Sequence, residues 1–247
     1  MRWFFDLSYL GAPFHGWQVQ PGVVTVQSTV EEALGRLMRQ PVAVTGAGRT
    51  DAGVNARRMI AHADLPDGFD ASAPAFLRSL NAMCGPHIAI AGARPVAPGA
   101  HARFDATGRT YRYFAHTFKS PFMGRLSWQA PASLDFDAMN DAAALLLGRR
   151  DFTSFSKLHT DVRTNICDLR AAAWHETDTP GCRYFEISAD RFLRNMVRAV
   201  VGTLVEVGRG KLSPSGLMEV LEARDRCAAG TSMPAEPLFL WDVTYPY

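Results

Sequence analysis

Lysine is scarce in this sequence: of 26 basic residues, all but Lys119, Lys157 and Lys211 are arginine. Arginine suits bidentate phosphate contacts and stacking, although a GC-rich genome yields the same bias. Neither sign of charge dominates. The formal net charge is +2, so charge alone does not announce a nucleic-acid partner. Cysteine is sparse too. Cys84, Cys167, Cys182 and Cys227 form no Cys-x-x-Cys pair, and the seven histidines show no metal-ligand spacing. The usual zinc frameworks are therefore not expected, and the thiols read as buried or incidental groups in a reducing compartment. No apolar run approaches the roughly 20 residues that span a bilayer. Met1 to Tyr9 carries an acid inside its apolar stretch and no small-residue cleavage site. A signal peptide is not expected, and the cytoplasm is the expected compartment. Short repeats and low-complexity tracts are also missing.

What is present centres on Gly46-Ala47-Gly48-Arg49-Thr50-Asp51-Ala52-Gly53-Val54-Asn55-Ala56, which follows a short apolar run, Val42 to Val44. Glycines around one arginine and one carboxylate predict a tight loop that another backbone can approach closely. The glycines at 46, 48 and 53 do not fit a dinucleotide loop, and no Gly-Lys-Ser/Thr follows, so nucleotide binding is not expected. Two readings of Arg49 and Asp51 stand side by side. They form an ion pair that pins the turn, as in most Asp-x-Gly turns, or the carboxylate does chemistry while the guanidinium positions an anion.

Periodicity places the remaining elements. Arg2 to Tyr9 predicts a strand. Val26, Val30, Leu34, Leu37 and Met38 fall at helical spacing behind a capping Thr25 or Ser28. Strands are expected near 42–47 and 59–65, a helix from Pro74, and strands over 88–94 and 111–116. Pro121 to Pro131 is the expected passage between halves, which gives domains 1–120 and 121–247. Then follow a helix over 135–147, a hairpin of 166–177 and 183–189 around Asp178-Thr179-Pro180-Gly181, and a helix over 193–207. A helix opened by Ser213-Pro214 and a last strand over 238–245 complete the reading. Mixed elements without a βαβ rhythm indicate α+β with a largely antiparallel sheet.

The glycine loop resembles the active-site loop of pseudouridine synthases, and more narrowly of the TruA-type family that acts on the anticodon stem-loop of tRNA. Tyr9-Leu10-Gly11, Gly16-Trp17-Gln18, Thr110-Tyr111-Arg112-Tyr113, Asp151-Phe152-Thr153-Ser154-Phe155, Phe192 to Arg198 and Leu238 to Tyr245 resemble further family segments, in order, along the whole chain. The resemblance implies the pseudouridine synthase fold: two similar α/β halves, a mainly antiparallel joined sheet and a central cleft holding the active site. It implies tRNA as partner, uridines 38–40 as targets, and a homodimer. The isomerisation adds no electrons or groups, so no cofactor and no metal is expected.

The reaction breaks the bond from N1 to C1′, turns the uracil and rejoins it through C5. Charge at C1′ resembles that of glycoside cleavage, which one carboxylate can stabilise or bond; alternatively the carboxylate removes the C2′ proton. The resemblance assigns that role to Asp51 and base flipping to Arg49. It assigns stacking on the displaced uracil, beside a proton acceptor near C5, to Tyr111, and upkeep of the ionised carboxylate to Arg198. Tyr113 shares the strand face of Tyr111, so spacing does not choose between them. Leu193 and Met196 are expected to wall the pocket. Arg57, Arg58, Arg109 and Arg194 are expected to contact RNA, with Arg194 and Arg198 one helical turn apart. Arg103, Arg112, Arg191, Arg209 and Lys211 are further candidates for backbone contact, and His15, Trp17 and Gln18 for lining the RNA surface. Two departures stand out. Asn55 occupies a position where histidine is common, and Pro237 one where glycine is usual.

Overall fold

The alternating aromatic run Arg2–Tyr9 forms β1, the strand around which the N-terminal part of the chain is organised. The computed structural model describes residues 1–157 and 164–247. These residues make two compact units: Met1–Thr107 with Phe239–Tyr247, and Gly108–Leu238. The passage between units thus comes at 107/108, earlier than the expected 120/121. The chain end groups with the first unit because its strand pairs there.

In the first unit, β1 lies between β3 (Asn55–Asp64) and β4 (Ile88–Pro95), antiparallel to both. The last strand, β10 (Leu238–Thr244), runs parallel to β3 on its other side. The two-residue β2 (Thr45–Gly46) also pairs with β3. Alternation along β1 sends Trp3, Phe5, Leu7 and Tyr9 to one face, all buried. Helices α1 (Val26–Met38) and α2 (Pro74–Cys84) complete the unit, with α2 against β4 and α1 against α2. The expected cap of α1 is a capping box: the Thr25 hydroxyl accepts from the Ser28 N–H at 3.2 Å, and the Ser28 hydroxyl accepts from the Thr25 N–H at 3.1 Å.

The second unit is an antiparallel sheet in the order β5 (Gly108–His116), β9 (Cys182–Ala189), β8 (Ile166–Glu176), β7 (Gly148–Asp151). A two-residue β6 (Trp128–Gln129) runs parallel to β5. Helix α3 (Phe136–Ala144) packs on β8 and on α4 (Met196–Gly208), and α5 (Pro214–Ala223) packs on α3 and α4. Asp135 and Ser213 cap α3 and α5. The helix expected over 193–207 begins only at Met196, because Asn195 takes a left-handed conformation (φ 65°) and donates to the Ser232 hydroxyl at 2.6 Å. Both units therefore mix helices with mainly antiparallel strands, as the α+β assignment requires.

Candidate active site

In the first unit the 47–54 loop is braced from beneath. The N–H of Trp17 donates to the Thr50 carbonyl at 3.1 Å. The Tyr9 and Thr50 hydroxyls lie 2.8 Å apart. Asn55, 1% exposed, accepts the Gly11 N–H on its side-chain oxygen at 2.8 Å. The loop closes on itself through Val54 N–H to Asp51 carbonyl, 3.1 Å, with Gly53 at φ 81°. Glycine is required below it: a Cβ on Gly11 would stand 2.2 Å from the Val54 carbonyl oxygen, and one on Gly16 (φ 87°) 2.6 Å from that of Thr50. On this support Asp51 is half-buried and Arg49 is exposed. Arg49 enters no ion pair among the described residues, so the pinning salt bridge does not account for it.

In the second unit β5 presents Tyr111 and Tyr113 on one face, and burial separates them. Tyr111 is half-buried, its ring edge-on to Phe192 at 5.0 Å. Tyr113 is fully buried, its hydroxyl has no hydrogen-bond partner among the described residues, and burial pushes its pKa up strongly. Arg198 is half-buried on the first turn of α4. Its Nε donates to the Met233 carbonyl at 2.6 Å while the Met233 N–H returns to the Arg198 carbonyl at 3.1 Å. The guanidinium is thereby held in orientation by the Met233 backbone.

Comparison with known proteins decides what these residues belong to. The sequence model described as tRNA pseudouridine synthase matches residues 142–246. A protein of Parabacteroides distasonis named tRNA pseudouridine synthase A is 54% identical over 99% of this chain and 96% of its own. Its counterpart in Porphyromonas gingivalis is 52% identical, over 99% and 97%. The one in Geobacter sulfurreducens is 41% identical, over 97% of both. The chain belongs to the tRNA pseudouridine synthase family.

Among tRNA pseudouridine synthase segments expected to meet RNA, the structure sorts the candidates by what already holds them. Arg57 is exposed and lies 4.7 Å from the centre of the Trp241 ring. Arg58 stands apart from this group: it donates to Asp6 and to Asp242, both at 2.8 Å, so its charge is neutralised within the first unit. Arg109 donates to the Asp190 carbonyl at 2.9 Å. Arg112 is engaged with Glu186 at 2.7 Å, and Arg209 with Glu206 at 2.9 Å. Arg194 is exposed but sits in the turn before α4, so it and Arg198 do not share a helix face. Leu193 is 5% exposed. Met196 is 0% exposed with its sulfur 4.0 Å from that of Cys167, which makes it interior packing of the second unit rather than an open wall. Trp17 is likewise buried, its ring against Gly46, and so lines no surface.

Among the described residues no three His, Cys, Asp or Glu side chains gather as a metal site. No described helix is long and apolar enough to cross a membrane. What the sequence reading missed is the brace of the synthase loop: Tyr9, Gly11 and Gly16 appear in motifs without a role. The signal for them is the pair of glycines itself, since close backbone approach is a standing reason for glycine. Asn55, a departure whose amide is able to tie the loop through hydrogen bonds, supplies the bond that joins loop to brace.

Proposed function

We propose that this tRNA pseudouridine synthase acts on uridines of the anticodon stem-loop, positions 38–40, with the Asp51 carboxylate as the group that acts at C1′. The observation that carries the assignment is the half-buried carboxylate on a braced loop beside an exposed arginine. The reaction needs one carboxylate, because the leaving uracil is recaptured rather than replaced by water. N1–C1′ cleavage leaves charge at C1′, which Asp51 stabilises, bonds, or relieves by taking the C2′ proton. The uracil turns and C5 bonds to C1′ as Asp51 is released from that carbon or returns its proton to C2′; the C5 proton then departs and N1 takes one up.

Arg49 is proposed to occupy the gap left by the extruded uridine, since the reacting carbons are not jointly reachable in a stacked helix. Tyr111 is proposed to stack on the displaced base, and Arg198 to supply fixed positive charge to the reaction. Leu193 is proposed to exclude water there, which strengthens each charge interaction. Arg57, Arg109 and Arg194 are proposed to fix register on the RNA backbone. A homodimer in the cytoplasm completes the proposal.

The experiment is Asp51→Asn assayed on transcript tRNA. Pseudouridine formation is expected to fall below detection, while tRNA affinity stays within about threefold of the parent, as removal of a group acting on the transition state requires. Substantial turnover by the variant would overturn the carboxylate role, and modified uridines outside 38–40 would overturn the site assignment.

A further inference from the structure

Phe104 is an anomaly in the first unit. It is 74% exposed, on the connection that follows β4, far outside the core. Exposed aromatic rings are common, but this one is mounted. One ring face rests on the His101 imidazole, centroids 4.2 Å apart and planes at 28°. His101 is itself pinned. Its Nδ1 accepts the N–H of Arg103 at 3.1 Å and that of Phe104 at 3.3 Å, and its ring meets His62 edge-on at 4.7 Å. His62 in turn accepts the Ala102 N–H at 3.1 Å, and the Tyr245 hydroxyl donates to the Ala102 carbonyl at 2.5 Å. The exposed ring therefore stands on three elements of the unit and does not collapse onto the surface.

Its electrostatic setting is specific as well. The Arg103 guanidinium lies 5.7 Å from the ring centre. The neighbouring acid has partners of its own: Asp105 accepts the His101 N–H at 2.7 Å and the Tyr247 hydroxyl at 2.9 Å. A rigid, exposed ring with a cation over it suits a nucleobase with its attached phosphate. A greasy protein contact would not need the arginine.

We propose that Phe104 is a stacking platform for an unpaired base of the bound tRNA other than the uridine that is isomerised. This rests on tRNA being the substrate. His62, which anchors the platform, pairs with Thr45 where the chain enters the Asp51 loop and is seven residues along β3 from Asn55, where it leaves.

The test compares wild type, Phe104→Ala, Phe104→Leu and Phe104→Tyr for affinity to a transcript tRNA and to versions with single abasic nucleotides. Pseudouridine formation, melting temperature and sedimentation are followed in parallel. Because base–aromatic stacking is sequence-tolerant and strong, Ala and Leu are expected to lose about fivefold or more in affinity and Tyr to stay within about twofold. One abasic position is expected to weaken wild type but not Phe104→Ala. The proposal is overturned if the Ala and Leu variants bind within about twofold of wild type with unchanged melting. It is equally overturned if their only change is in sedimentation, which would mark the ring as a contact between protein copies. A wild-type protein that binds tRNA but forms no pseudouridine would sink the catalytic assignment while leaving the platform standing.

Discussion

His62 illustrates how far a single side chain depends on its surroundings. Sequence offers it no partner, yet it is 7% exposed on β3 and accepts a backbone N–H. Burial first, then the charges of Arg2 and His101, hold its pKa at about 4 instead of 6.5, with Asp64 and Asp105 pulling weakly the other way. The folded state thus binds this proton less readily than the unfolded chain. The associated stability is complete above the unfolded value of 6.5 and is lost as pH falls toward about 4. Urea midpoints are expected to drop through that window, and His62→Asn, whose amide oxygen still accepts the Ala102 N–H, should flatten the drop. An identical pH profile in both proteins would remove His62 as its source. Tyr111 and Tyr113 teach the same lesson: their spacing places both on one face, and only burial shows that Tyr113 is enclosed while Tyr111 retains exposure.

At the scale of elements, caps were the most legible features, because a cap needs only near neighbours in sequence. Thr25 and Ser213 accept the expected N–H, and Asp135, expected inside its helix, caps it instead. Strand β7 was not legible: Gly148-Arg149-Arg150-Asp151 lacks an apolar pattern and is a strand through its pairing with β8. Helix α4 is buried along most of its length, including both its glycines. A Cβ on Gly202 would stand 1.9 Å from the Thr231 carbonyl oxygen. Thr231 and Met233 belong to the segment that anchors Arg198, so overpacking at Gly202 reaches a candidate active-site cation. Gly202→Ala is expected to destabilise the protein by about 1–3 kcal/mol, read from urea unfolding, and to lower turnover more than tRNA affinity. A variant of parental stability and activity would show that the strap yields at no cost.

For the whole molecule, the consequential feature is the last strand. Phe239–Tyr247 groups with the first unit, where β10 pairs with β3, Asp242 holds Arg58, and Tyr245 and Tyr247 pack on Phe4. A chain ending at Leu238 is therefore expected to lose structure in its N-terminal unit, not merely fray at its end. Amide exchange should show loss of protection at Phe4, Phe5, Met59 and Ile60, with β8 and β9 retained. Protection kept at those four residues would mean that β10 is dispensable. Sequence identified this segment as a strand but assigned it to the later half, since pairing between residues some 180 apart (Leu240 with Ala56) leaves no local trace.

The sequence by itself determined the family, the α+β class, the caps and the identity of the loop bearing Arg49 and Asp51. Those depend on residue type and on short spacings that survive translation into any tertiary setting. Tertiary structure alone decided that Gly11, Gly16 and Asn55 brace that loop, that Arg58 is neutralised by two acids, that Met196 is interior, and that Phe104 stands exposed on a histidine mount. Each of these is a contact between segments distant in the chain, and it is the partner across that distance that fixes a side chain's burial and charge.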